Sequence, residues 1–360
     1  WFPVLSHGRQ ELRIERFDVM PRATEHIQEQ IQMVERLEEK GYTYTIPDDG
    51  IYMDTSLVED YGKLMWANYK KRLADLNAGE RVDVWGKRNP TDFALWKFSP
   101  RNEKRQMERD SPWGIWFPGW HIECSAMASK YLGEQFDIHH GGTDHITVHH
   151  SNEITQSECS FWHKPWVKYW LHNEFLQVDG GKMSKSLGNI YSLDDIKAKG
   201  YSPLDLRYFY FKAQYSNFLN FTRGALEQAK NERLGLIKKI RNLTPTEWDD
   251  DFQEKIYAAL WDNLNTPKLL SDIHLALSYP TQQTLSLLKE LEDKVLKVWL
   301  FDPVIEESVE VPEEILHLAE ARKQAKNDKD YALADQLRAE ILEKWWEVKD
   351  SKDGFELIKK

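Results

Sequence analysis

Gly181-Lys182-Met183-Ser184-Lys185-Ser186-Leu187-Gly188-Asn189 is the stretch on which the fold turns. Two lysines flank a short loop of serines and glycines. Such a loop can close over a triphosphate, neutralise its charge and stabilise the pentavalent α-phosphate of adenylate formation. Most Lys/Ser loops are merely solvated, but an ordered string this long arises by chance on the order of once in a few million positions. Upstream lies Phe136-Asp137-Ile138-His139-His140-Gly141-Gly142-Thr143-Asp144-His145, a short strand running into a glycine pair and an aspartate. Glycines let a backbone approach a nucleotide closely, and an aspartate can accept from both ribose hydroxyls. Alone, Gly-Gly-x-Asp is also a common turn; its place ahead of the lysine loop strengthens the nucleotide reading.

A third signal lies on either side of that strand. His149 and Glu153 are four residues apart, which on a helix puts both side chains on one face. Cys124 lies upstream in Gly119-Trp120-His121-Ile122-Glu123-Cys124-Ser125-Ala126-Met127. Cys, His and Glu together suit zinc. Spacing alone leaves duller readings open: a hydrogen-bonded His–Glu pair, and a cysteine packed in a core.

Composition bounds the rest. A chain of 360 residues, 41% hydrophobic, is large enough for two to four domains. No apolar run nears the ~20 residues of a membrane span, and the first residues lack the form of a signal peptide. Two cysteines, Cys124 and Cys159, make no disulfide framework and point to a reducing cytosol. A net charge of -11 argues against non-specific nucleic-acid binding by the whole surface, though not against a local basic face.

The pattern predicts a helix over 24–40, closed by Gly41, then strand, turn and strand from Tyr42 to Met53. Short strands are expected around Val82–Trp85 and Phe93–Trp96. Residues 113–200 carry most of the twelve histidines and should form a parallel strand–helix unit. From 202 onward the pattern is helical, with an acidic linker at Val304–Pro312 and a helical hairpin over 313–345 that breaks near Asn327-Asp328.

Taken together, these segments closely resemble cysteinyl-tRNA synthetase, a class I aminoacyl-tRNA synthetase. The resemblance is carried by the Lys182–Ser186 loop, Pro112-Trp113-Gly114, Pro118 through Met127, Phe136–His139 and His149 through Glu158. Pro21–Thr24, Arg88–Lys97 and Asp262–Pro267 extend it, so that it runs from about Arg13 to the C-terminus. The resemblance implies an α/β fold: a Rossmann-like parallel sheet whose first half is missing, a connective insertion, a helical anticodon-binding region and a small C-terminal domain. The expected segments are a remnant of the first catalytic half (1–21), the insertion (22–110), the second catalytic half (111–200), the helical region (201–303), and the linker with the final domain (304–360).

The family also implies roles. Cys124, His149 and Glu153 match three of its four zinc ligands; the fourth, an N-terminal cysteine, has no counterpart here. The zinc would bind the thiolate of L-cysteine, discriminating it from serine, whose hydroxyl is a harder, higher-pKa ligand, so no editing site is needed. Trp120 would line the amino-acid pocket, and Gly142 and Asp144 would hold the ribose of ATP. Lys182, Ser184 and Lys185 would hold its phosphates with Mg2+, the two lysines acting catalytically. tRNA(Cys) would be the partner of a monomeric, cytoplasmic enzyme. The chain begins at Trp1 and lacks the family's His-x-Gly-His signature; Leu5–Arg9 resembles its tail by coincidence only. These residues alone are therefore expected to be inactive. His140 replaces a family glycine and Ser151 a common glutamate.

Lys212, Arg223, Lys230, Arg233, Lys238, Lys239 and Arg241, interleaved with Tyr210, Tyr215 and Phe218, suggest a tRNA-facing surface, and Arg322, Lys323, Lys326, Tyr331 and Arg338 suggest another in the final hairpin. Two other readings stay open: the cysteine ligase of mycothiol synthesis, disfavoured by the long C-terminal region, and a non-catalytic tRNA-binding fragment.

Overall fold

In the computed structural model, which describes residues 2–68, 85–99, 108–245, 252–301, 312–344, 346–351 and 354–359, contacts divide the chain into two units, Trp1–Phe301 and Asp302–Lys360. The first opens with α1 (Phe2–Glu11) and α2 (Ile27–Glu39). On α2, Ile31, Val34 and Leu37 recur at helical spacing and are fully or nearly buried. They pack with Ile51, Met53, Leu95, Trp96 and Ile122 in the main core.

The predicted hairpin forms from β1 (Thr43–Ile46) and β2 (Gly50–Met53), and β3 (Phe93–Phe98) falls where a strand was expected. Residues 82–84 and 304–311 lie outside the described residues, so the strand and the linker placed there are not described. With β4 (Arg109–Ser111) and β5 (Gly114–Pro118), these strands make a sheet in the order β1-β2-β3-β5-β4, antiparallel throughout. At β5, the first strand within 113–200, the expectation of parallel pairing needs correction. β5 joins β4 through the two-residue turn Pro112-Trp113, and so short a connection permits only antiparallel pairing.

The chain then enters α3 (Trp120–Leu132), β6 (Phe136–Gly142), α4 (His149–Phe161) and β7 (Val167–Asn173). β6 and β7 pair in parallel, with α4 as the crossover. A second, smaller sheet follows: β8 (Leu176–Val178) pairs antiparallel with β9 (Gly181–Lys182) and parallel with β10 (Leu219–Phe221).

Helices then dominate: α5 (Leu193–Ala198), α6 (Pro203–Tyr210), α7 (Arg223–Arg241), α8 (Phe252–Trp261), α9 (Thr266–Ala276) and α10 (Gln282–Leu291), ending in a π-turn at Glu292–Leu296. Their starts are specified locally: Ser202 and Asp205 form a capping box on α6, and Thr222 Oγ1 accepts from the Ala225 N–H at the start of α7. Arg207, on α6, donates to the carbonyls of Leu12, Val295 and Leu296, while Arg13 pairs with Glu292 at 3.2 Å.

The basic surface read from the sequence is smaller than its lysine and arginine count. Arg233 is buried, donating from Nε to Asp205 Oδ1 at 2.9 Å and from Nη1 to the Val298 carbonyl at 3.0 Å. Lys212 is paired with Glu232 at 2.6 Å. Arg223, Lys238, Lys239 and Arg241 remain exposed.

In the second unit α11 (Glu313–Asn327) and α12 (Tyr331–Glu343) form the predicted hairpin, followed by β11 (Trp346–Ser351) and β12 (Gly354–Lys359) paired antiparallel. Ile315, Ala319, Ile341, Trp346 and Val348 form its core, and Arg322 is buried rather than presented to solvent. No helix among the described residues is long and apolar enough to cross a membrane.

Candidate active site

The site is organised by α3 and α4, and both are placed by close backbone approach. Gly119 caps α3 directly after β5, and its N–H donates to the Leu95 carbonyl at 2.8 Å. A Cβ at Gly119 would lie 2.1 Å from the Ala94 carbonyl oxygen, so only glycine lets the strand end here and the helix begin. Twelve consecutive residues of α4, His149 to Ser160, are buried. At its far end the Lys40 ammonium donates to the Cys159 and Ser160 carbonyls and lies 4.8 Å from the centre of the Trp162 ring, satisfying carbonyls that the helix leaves open. Cys159 packs into the main core at that end, which is the role expected of a bystander cysteine.

At the near end, ligand atoms of Cys124, His149 and Glu153 lie within 4.8 Å of one another. His149 Nε2 is 3.1 Å from Glu153 Oε1, and His139 Nε2 is 3.1 Å from Oε2. Glu153 is fully buried, yet neither oxygen is aligned with a hydrogen-bond donor. The second nitrogen of His149, Nδ1, lies 2.9 Å from His121 Nδ1, which fixes the ring's orientation. The Trp120 ring is 5.4 Å from that of His149 and remains more than half exposed at the mouth.

Burial would raise the Glu153 carboxyl, but the imidazoles of His139 and His149 outweigh it and hold it below the usual carboxylate range. Burial, then the Glu153 carboxylate, pushes the Cys124 thiol well up. Burial, followed by His149, brings His121 down to about 3, and burial likewise brings His150 to about 3 and His172 to about 4. The site therefore presents an ionised Glu153 carboxylate near the neutral imidazoles of His121, His150 and His172, and the Cys124 thiol must shed a proton to ligate a cation. A buried carboxylate with both oxygens unaligned, beside a thiol and an imidazole, is a donor set that fits zinc.

Asp144 follows directly on the C-terminal end of β6 and is exposed. A Cβ at Gly142 would meet Asp144 Oδ1 at 2.4 Å, so the glycine makes room for that carboxylate. Lys182 ends β9, and Lys185 starts a short 3₁₀ turn. Asn189 clasps the loop: its Oδ1 accepts from the Ser184 N–H at 2.8 Å and its Nδ2 donates to the Lys182 carbonyl at 2.9 Å. Both lysines are exposed, and neither has a carboxylate partner among the described residues. His140 is exposed on β6, whereas Ser151 is buried and donates to the Ile146 carbonyl at 2.7 Å.

His121, His139, His150 and His172 form the site's walls and were given no role from sequence. The available signal was the density of histidine in residues 113–200; what was missing was the β6–β7 register, which sets His139 opposite Trp170 and Gly141 opposite His172.

An antiparallel sheet feeding a helix, a parallel pair crossed by α4 and an exposed two-lysine loop define a class I aminoacyl-tRNA synthetase catalytic domain. The family model described as "tRNA synthetases class I (C) catalytic domain" matches residues 5–231. The methionyl-tRNA synthetase of Mycobacterium tuberculosis, solved with methionyl-adenylate, superposes with a TM-score of 0.53 over 77% of this chain and 68% of its own, at 14% identity, a likeness of fold. Cysteine--tRNA ligase of Treponema denticola is 41% identical over 92% of this chain and 74% of its own length. Cysteine--tRNA ligase 1 of Burkholderia lata is 43% identical over 94% and 71%, and the Thermococcus gammatolerans enzyme 38% over 95% and 77%. The chain belongs to the cysteine–tRNA ligase family.

Proposed function

We propose that the chain activates L-cysteine with ATP to cysteinyl-adenylate and transfers the cysteinyl group to tRNA(Cys). The observation that carries this reading is the convergence of Cys124, His149 and Glu153 beside the exposed Trp120 ring. Zinc held by those three side chains supplies a soft cation that binds the substrate's thiolate and disfavours serine. His121 keeps the His149 ring turned toward the pocket. Trp120, more than half exposed beside His149, lies over the small side chain. Asp144 accepts from the ribose hydroxyls, and Gly142 leaves space for it. Lys182 and Lys185 close on the triphosphate with Mg2+ and neutralise charge as the α-phosphate becomes pentavalent. The exposed ends of α7 and the second unit offer the cationic and aromatic surface for tRNA.

Residues 1–360 hold only the Lys182–Ser186 half of the phosphate-binding apparatus, so we infer that these residues alone do not form the adenylate at a measurable rate. Cysteine-dependent pyrophosphate exchange tests both statements. It should be absent with residues 1–360, and present and serine-rejecting when a His-x-Gly-His segment and the fourth zinc cysteine precede them. Exchange by residues 1–360 alone overturns the inference on their inactivity; no exchange by the longer chain overturns the proposed reaction.

A further inference from the structure

The Glu153 carboxylate faces two sets of donors. One is Cys124 and His149. The other is His139 and His150, whose ligand atoms also lie within 4.8 Å of each other and of Glu153. A cation on the first set accounts for Oε1, which faces His149. It leaves Oε2, which faces His139, fully buried and unaligned with any donor. A buried carboxylate oxygen whose one near neighbour, the His139 imidazole, is not aligned to donate to it calls for a ligand between the two.

The geometry of that contact indicates which ligand. Two donors each about 2.0–2.1 Å from a tetrahedral cation stand about 3.3 Å apart, with their lone pairs directed at the cation and not at each other. The His139–Glu153 contact, 3.1 Å and off the hydrogen-bond axis, has that character, and so does the His149–Glu153 contact. The orienting bonds are also duplicated. His149 Nδ1 is held by His121 at 2.9 Å; His150 Nδ1 is held by His172 Nε2 at 2.8 Å. An imidazole with one nitrogen so fixed presents the other as a ligand. Space for the His150 ring is made by the backbone: a Cβ at Gly141 would lie 2.5 Å from its Cε1. Trp170 walls the far side, 4.8 Å from the His139 ring and 4.9 Å from that of His150.

We propose that His139, His150 and Glu153 form a second divalent-cation site, with the Glu153 carboxylate shared between it and the Cys124–His149 set. Two imidazoles and a carboxylate suit a borderline first-row ion such as Zn2+, Co2+ or Ni2+. Lacking a thiolate, this site is the weaker of the two. It does not require the first site to be filled.

Cobalt is the probe that separates the sites. The full chain, freed of metal, is titrated with Co2+ while bound metal and the optical spectrum are followed. One equivalent should bring a thiolate-to-cobalt charge-transfer band, which Cys124→Ser abolishes. A second, weaker equivalent should bring only ligand-field bands, survive Cys124→Ser, and weaken more than about tenfold in His139→Asn. His150→Ala should remove it as well, with circular dichroism checking the fold; His139, less buried than His150, is the safer substitution. A single equivalent in the unsubstituted chain, or a second equivalent unchanged in the folded His139→Asn protein, overturns the proposal. Absence of the charge-transfer band instead counts against the Cys124 site and leaves this one standing.

Discussion

Along α4 twelve consecutive residues are buried, whereas none of Gly181–Asn189 is. Both regions carry the site's charged groups, but in opposite states. Glu153 and its histidines are held by neighbours on α3, β6 and β7 before any substrate arrives. Lys182 and Lys185 stand in solvent without carboxylate partners among the described residues, and their loop is shaped by the Asn189 clasp and short local hydrogen bonds. Selecting a small side chain demands rigidity, since a misplaced ligand loses its discrimination. On the proposed function the lysine loop handles a triphosphate, which demands motion, since such a loop must admit the nucleotide and then surround it.

Substitutions can break that contrast, and the largest effect should come from the rigid half. In an exchange-competent protein, Cys124→Ser should end zinc retention through dialysis and lower cysteine-dependent exchange by on the order of 10³-fold, while Cys159→Ser leaves metal content unchanged. Equal zinc loss in both variants would show that the assigned cysteine is wrong. Lys185→Ala should lower exchange by about 10²-fold without altering zinc content or melting temperature; a matching loss of zinc would mean that the two regions are not independent. Removing the support beneath His149 with His121→Ala should weaken zinc about 10- to 100-fold, measured by competition with a chromophoric chelator. Gly119→Ala should destabilise the chain by about 1–3 kcal/mol in urea titration, because its methyl group meets the Ala94 carbonyl. The smallest effect is expected from Asn189→Ala, which removes two hydrogen bonds on an exposed loop and should register as faster protease cleavage near Ser184 at an unchanged melting temperature.

Much of this was legible because it is local. The α2 stripe, the β1–β2 hairpin, the α11–α12 hairpin and the His149–Glu153 spacing each depend on residues close in sequence. Arg233 shows a signal present but unused: it continues the stripe Leu226, Ala229, Ile237 and Ile240 on α7, and a basic residue on a buried face is an internal ion pair, not a phosphate contact. Arg322 sits in the same way between Ala319 and Ala325. That β5 joins the sheet of β2 and β3 depends on pairing with β3, a strand sixteen residues or more away, which periodicity cannot report. The histidine walls were harder still. His121, His139, His150 and His172 lie on four different elements, and only the register of β6 against β7 and the packing of α3 on α4 bring them together.

Arg207 ties Leu12 to Val295 and Leu296, and Arg13 reaches Glu292 beside it. These partners leave the ribosome far apart in time. At ordinary elongation speeds the Leu12 region waits roughly tens of seconds before the π-turn that receives it has been made. The first unit therefore cannot be locked from its beginning during synthesis; it is completed as a closed circuit only when Leu296 emerges, and until then its opening helix is available to chaperones and proteases.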